Sequence, residues 1–191
     1  MADRPTRDDA WALLTEFTDN PSLIKHALAV EAAMRAYARR LGEDEEVWGA
    51  IGLIHDFDYQ QNPTEETHLH VGTRVLRERG WPEEWIRTVA SHADYMGVPR
   101  DTAAARALFA VDELTGFLTA CALVRPDRSI AEVQAKSVKK KLKDKAFARG
   151  VNRDDVRRGA EELGVELAEH IEFVRDAMAT ISDQLELPPR P

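Results

Sequence analysis

Apolar residues along this chain recur at three- and four-residue intervals, the period of one face of an α-helix. Alternating β-branched runs and Asn-Gly or Asp-Gly hairpin turns are missing. The pattern predicts an all-α protein. A first short helix follows Thr6. A second opens at Asn20-Pro21, where the Asn side chain can cap free N–H groups and Pro suits the first turn, and it runs through His26 to about Leu41, closed by Gly42. In a third, from about Glu43, the residues Val47, Trp48, Ile51 and Ile54 share one face and deliver His55-Asp56 at the C-terminal end. After a break over residues 58–63, helices are expected over 64–79 and 82–92, separated by Gly80 and carrying His68 and His92. The longest apolar stretch, residues 103–124, is closed by Pro126 and contains Asp112. Ser129 and Glu132 have the spacing of a capping box, Asn152 with Asp155 marks another helix start, and a last helix is expected over 165–185.

The length, 191 residues with 43% hydrophobic and 31% charged, suits one domain with one substantial core. No internal repeat or low-complexity linker argues for a second. The formal charge of −8 argues against a general affinity for nucleic-acid backbones, which are bound through Lys and Arg. The charge is uneven, however. Residues 136–158 hold ten Lys or Arg against three Asp or Glu, so this stretch is +7 and the rest of the chain −15, which leaves room for a small anionic ligand. The single cysteine, Cys121, excludes an intramolecular disulfide and reads as a small buried hydrophobe, so a reducing cytoplasm is the expected home. The first residues lack the apolar stretch of a signal peptide, and no uncharged run of 18 apolar residues occurs, so neither secretion nor membrane spanning is expected.

Against this background a few polar residues stand out. His55-Asp56 offers an imidazole and a carboxylate at the end of an apolar helix, two ligand types of Mn, Fe, Co, Ni and Zn. Asp112 lies inside an apolar helix, where a carboxylate is costly to bury unless paired or coordinated; an Arg partner such as Arg106, or exposure to solvent beside Glu113, is the alternative to a metal. His26 also lies on a predominantly apolar helix. A hydrogen-bonded core histidine is its plainer reading. Several helices of one bundle can bring such groups to a central ion.

The order His26, His55-Asp56, His68, His92, Asp112 resembles the HD-domain superfamily of metal-dependent phosphohydrolases, over roughly residues 20–125. The resemblance implies an HD-type helical bundle: an N-terminal helix in residues 1–19, the HD metal-binding core over 20–125, a C-terminal helical extension of the same domain over 126–187, and a frayed tail at 188–191. It implies that His26, His55, Asp56 and Asp112 bind one divalent transition metal (Fe, Mn, Co, Ni or Zn). Where a second ion binds, Asp56 is shared and His68 and His92 are added. His68 is favoured over His70 because it stands four residues before Gly72 and an apolar helix. The expected activity is hydrolysis of a small phosphoester such as a nucleotide by a metal-activated water, with Asp56 in the catalytic centre and Lys139 or Lys140 stabilising charge on the phosphoryl oxygens. A diiron oxygenase and a non-catalytic, metal-stabilised binding module are the alternatives. The chain reads His-Asp-Phe-Asp-Tyr59, with no Lys after the pair, and lacks the Gly-Tyr-Pro element of the cyclic-dinucleotide phosphodiesterases, so neither subfamily's specifics carry over.

The run from Lys136 to Lys145 is first a solvated helix face. His70 reads as a surface residue or a support to the site, and His170 as structural or solvated. Asp58 and Asp94, each two residues past a candidate ligand, read as turn or solvated residues before they read as groups that orient a histidine.

Overall fold

The computed structural model describes residues 4–188, so of the tail expected at 188–191 all but Pro188 lies outside the described residues. Among the described residues there are helices and turns and no strands. The chain divides into two compact units, one up to Leu108 and one from Phe109 on.

The first unit contains α1 (Arg7–Phe17), α2 (Pro21–Leu41), α3 (Glu45–Ile54), α4 (His70–Glu78) and α5 (Glu83–Ala90), then a 3-10 turn over Asp94–Met96 and the start of α6 (Ala103–Leu123). Local chemistry sets most of the boundaries. Thr6 and Asp9 close a reciprocal capping box at the head of α1. The Asn20 side chain accepts from the Ser22 N–H with Pro21 in the first turn, and Gly42 ends α2 at φ 75°, a left-handed conformation that favours glycine. Asp44 caps α3 by accepting from the N–H groups of Glu46 and Val47. Its apolar face packs on α2 so closely that a Cβ at Gly52 would stand 3.0 Å from Met34 Cγ and 3.1 Å from the Val30 carbonyl oxygen.

One charge lies deep in this packing. The Glu31 carboxylate, on α2 and 7% exposed, takes two hydrogen bonds from Arg7 (2.6 and 2.9 Å) and one from Arg35 (3.0 Å). Arg35 in turn grips Glu46 on α3. The network ties α2 to α3 and to the head of α1.

The helix expected over 64–79 starts late. Residues 64–69 form turns and α4 begins at His70, because Leu69 sits at φ 62° and breaks the helical path. The cause is Asp58, whose fully buried carboxylate accepts from the Leu69 and Gly72 N–H groups at 3.0 and 2.9 Å and so caps α4 from outside. His68 therefore stands in a turn. His92, similarly, lies just past the end of α5.

The second unit holds the rest of α6, α7 (Ala135–Lys141), α8 (Arg153–Leu163) and α9 (Leu167–Ala179). Asn152 caps α8 as its spacing predicts, accepting from Asp154 and Asp155 N–H groups. The Ser129/Glu132 box does not form. Asp127 takes the Ser129 N–H at 3.1 Å while pairing with Arg125, and α7 opens only at Ala135. Glu166 caps α9, which ends at Ala179 and gives way to turns before 185. His170 is buried, its Nε2–H donating to the Ala110 carbonyl oxygen at 2.8 Å, so it is structural. Cys121 is buried, and burial pushes its thiol up to about 11. No helix among the described residues is long and apolar enough to cross a membrane.

Candidate metal centre

Four histidines and an aspartate of the first unit form one cluster. His26 projects from the second turn of α2, His55 and Asp56 follow the last turn of α3, His68 precedes α4, and His92 follows α5. The ring centroids of His26 and His55 are 5.1 Å apart, those of His55 and His92 5.3 Å, and those of His68 and His92 6.0 Å. Asp56 stands among them. Its Oδ1 lies 3.1 Å from His68 Nε2 and 3.2 Å from His92 Nε2, and its Oδ2 lies 3.5 Å from His55 Nε2.

The other ring nitrogen of each of these histidines is already engaged. His55 Nδ1 lies 2.7 Å from the Gly52 carbonyl oxygen, His92 Nδ1 lies 2.7 Å from that of Val89, and His68 Nδ1 lies 2.9 Å from Asp58 Oδ1. Carbonyl and carboxylate oxygens only accept, so each Nδ1 carries the hydrogen and each neutral ring keeps its Nε2 lone pair turned toward Asp56. Electron-rich atoms 3.1 to 3.2 Å apart repel unless a proton or a cation is shared between them. Donors about 2.1 Å from one ion and at right angles to each other are about 3.0 Å apart, so the spacing suits a transition-metal ion. The residues present fit such an ion: His26, His55 and Asp56 are ligand types for one position, and Asp56, His68 and His92 lie close enough together to hold an ion at another.

Two helix ends reinforce the preference for positive charge. The carbonyls of Gly52 and Val89 belong to the last turns of α3 and α5, and each accepts the Nδ1–H of the histidine that follows the helix. Both helices direct their partly negative C-termini to the side of the cluster that carries His55 and His92. Without metal, protons take the cation's place. Burial disfavours charge on His68, but hydrogen bonds to Asp56 and Asp58 outweigh it and push the imidazole up to about 9. Burial likewise opposes charge on Asp56, yet the surrounding His55, His68 and His92 hold its carboxyl well below the usual carboxylate range.

Asp58 corrects the reading of that residue as a turn or solvated group. It is fully buried, accepts His68 Nδ1–H and two backbone N–H groups, and is packed so tightly that a Cβ at Gly72 would fall 2.8 Å from its carboxyl carbon. The available sequence signal was a carboxylate two residues past a candidate ligand. Asp94 is an exposed residue that pairs with Arg100 at 2.9 Å. Around the cluster, the Tyr59 ring stands edge-on to His68 at 5.2 Å and Tyr95 lies 6.3 Å from His70, which is exposed. Burial, followed by the charges of Asp56 and Asp58, raises the Tyr95 phenol above its ordinary value.

The remaining expected site residues belong to the second unit. Asp112 is half-buried on α6. Lys139 and Lys140 are exposed on α7, and with Lys136, Lys143 and Arg157 they line a cavity of about 300 Å³.

The HD-domain family model matches residues 23–116, which include His26, His55, Asp56, His68, His92 and Asp112. Neither the curated proteins nor the solved structures gave a match.

Proposed function

Residues 23–116 make this chain a member of the HD-domain superfamily, and from that premise we propose that it is a metal-dependent phosphohydrolase that cleaves a small phosphoester, such as a nucleotide. The observation that carries the proposal is the pattern of histidine tautomers: His55, His68 and His92 each have Nδ1 engaged by an oxygen and Nε2 turned to Asp56. Second partners of this kind fix ligand orientation in metal sites. A core histidine with no ligand role has no reason to gather with two others around one carboxylate.

In this reading Asp56 joins two positions, its Oδ2 serving the side of His55 and its Oδ1 the side of His68 and His92. We assign Asp112, which lies within the residues that match the HD-domain family, as a further carboxylate ligand beside His26, His55 and Asp56. These residues would hold a divalent ion, which would supply Lewis acidity and lower the pKa of water toward neutrality. The protein's own residues then position and screen. Asp58 holds His68 in one tautomer. The aromatic ring of Tyr59 covers His68 from the side. Lys139 and Lys140 are assigned to the charge on the phosphoryl oxygens, a role in keeping with the concentration of basic residues over 136–158.

The test is elemental analysis of the purified protein combined with phosphate release from 4-nitrophenyl phosphate and nucleoside monophosphates. Wild type should carry at least one transition metal per chain and release phosphate, and Asp56→Ala should lose both. Full activity of Asp56→Ala in chelated buffer would refute the mechanism. One other reading has an observation in its favour, because the paired positions on Asp56 also suit a diiron oxygenase. Oxygen uptake by iron-loaded protein, coupled to loss of an organic substrate, would transfer the assignment to that class.

A further inference from the structure

The first unit contains a cavity of about 320 Å³ outside the metal centre. That volume is at the lower end of small-molecule pockets. Its floor is apolar and buried, formed by Val47, Trp48 and Ile51 on α3 and by Trp85 on α5. Trp48 and Trp85 each stand seven residues before a candidate ligand, His55 and His92 respectively, which is about 10.5 Å along each helix. The cavity and the cluster thus occupy different levels of the same two helices. The Trp85 indole N–H is buried and has no acceptor among the described residues.

The rim is charged and predominantly acidic. Glu43, Asp44, Glu84 and Asp101 face two cations, Arg4 and Arg87, and Arg87 lies 3.5 Å from Asp101. Arg4 shows what the site accepts. Its guanidinium lies over the Trp85 ring, 5.7 Å from the centroid, with Asp44 at 3.2 Å and Glu84 at 3.7 Å. A cation is thereby held between an aromatic face and two carboxylates, the arrangement by which aromatic cages take ammonium groups.

We propose that this cavity is a binding site for a small organic cation, an ammonium group on an apolar or aromatic body, whose charge takes the place of the Arg4 guanidinium while its body lies on Val47, Trp48 and Ile51. Anionic molecules of the same shape are excluded by the acidic rim. The site is independent of the metal centre, and its ligand differs in charge from a phosphoester.

The experiment follows the indole N–H resonances of Trp48 and Trp85 in the full-length, metal-free protein during titration with phenethylammonium, and with phenylacetate as the anionic counterpart. Phenethylammonium should shift both resonances and saturate at a Kd of about 5 mM or tighter, while phenylacetate should leave them in place. Arg4→Ala should tighten phenethylammonium binding about threefold and Glu84→Gln should weaken it about threefold, the scale of one exposed ion pair. Ala104→Phe, which fills the cavity from the α6 side, should abolish the shifts while far-ultraviolet circular dichroism and Tm stay unchanged. Equal binding of phenylacetate, no saturation by either probe, or undiminished binding by a folded Ala104→Phe protein would each overturn the proposal.

Discussion

Replacing Asp58 with Asn keeps the heavy-atom count of the buried carboxyl group and separates its two duties. Oδ2 accepts the Leu69 and Gly72 N–H groups at 3.0 and 2.9 Å, and Oδ1 accepts His68 Nδ1–H at 2.9 Å. An amide oxygen at the first position can keep both backbone bonds, so α4 retains its start. The amide NH₂ then occupies the second position and can only donate. His68 must respond by turning Nδ1 into the acceptor, which moves its hydrogen to Nε2 and removes the lone pair a metal would use. Loss of such a supporting partner typically lowers metal affinity by about 10- to 100-fold, or about 1.4 to 2.8 kcal/mol. Folding stability should fall less than in Asp58→Ala, which leaves three buried donors without their acceptor at about 1 to 3 kcal/mol each before water enters. Calorimetric titration with Zn²⁺ or Mn²⁺, alongside thermal melts of the metal-free proteins, separates the two costs. Asp58→Asn should melt close to wild type and bind the ion of the His68 and His92 position at least tenfold more weakly. If it binds that ion within twofold of wild type, the tautomer argument is wrong.

Other perturbations test other parts of the structure. Glu31→Ala removes the carboxylate that Arg7 and Arg35 share and leaves Arg35 with Glu46 alone, which should cost about 1 to 3 kcal/mol, measured by urea unfolding; a loss under about 0.5 kcal/mol would mean the network is solvated. Gly52→Ala forces α2 and α3 apart at Met34 and the Val30 carbonyl, and a drop of about 1 to 3 kcal/mol in the same assay is expected. For the metal-free protein, His68 is raised from 6.5 to about 9, so its protonation supports the fold fully below pH 6.5 and that support is lost as pH climbs through 9. The Tm of metal-free wild type should therefore fall over that range relative to His68→Gln, and parallel curves would refute the shift. Because a metal must displace the same proton, proton release on metal addition at pH 7 should be measurable with two buffers of different ionisation enthalpy.

Helix starts governed by neighbouring residues were legible in the sequence. Asn20-Pro21, Gly42 and Asn152 act on N–H or C=O groups one to four residues away, and the structure places the ends of α2 and the start of α8 there. Boundaries governed from a distance were not legible. The expected helix over 64–79 loses its first six residues because a carboxylate eleven residues before Leu69 claims its N–H and holds the chain at a positive φ. The expected box at Ser129 and Glu132 fails because Asp127, already gripped by Arg125, claims the Ser129 N–H first. In both cases an acidic side chain outside the expected motif competes for the same backbone donor, and periodicity carries no trace of that competition.

The candidate site divides along the same line. Its residue types and their order were readable as a candidate set, since His and Asp on apolar segments are rare enough to count. The supports were readable only in part. His55 and His92 each reach back three residues to a carbonyl in the last turn of the helix they follow, a local relation that any histidine just past a helix end can make. His68 has no such helix behind it, and its support, Asp58, comes from across a turn. The ring positions therefore differ in what holds them. His55 and His92 are held by the ends of α3 and α5, which lose their places only when the first unit's packing does. His68 is held by one carboxylate and a strained Leu69, so its side of Asp56 is the part of the cluster that a single substitution can release while the fold survives.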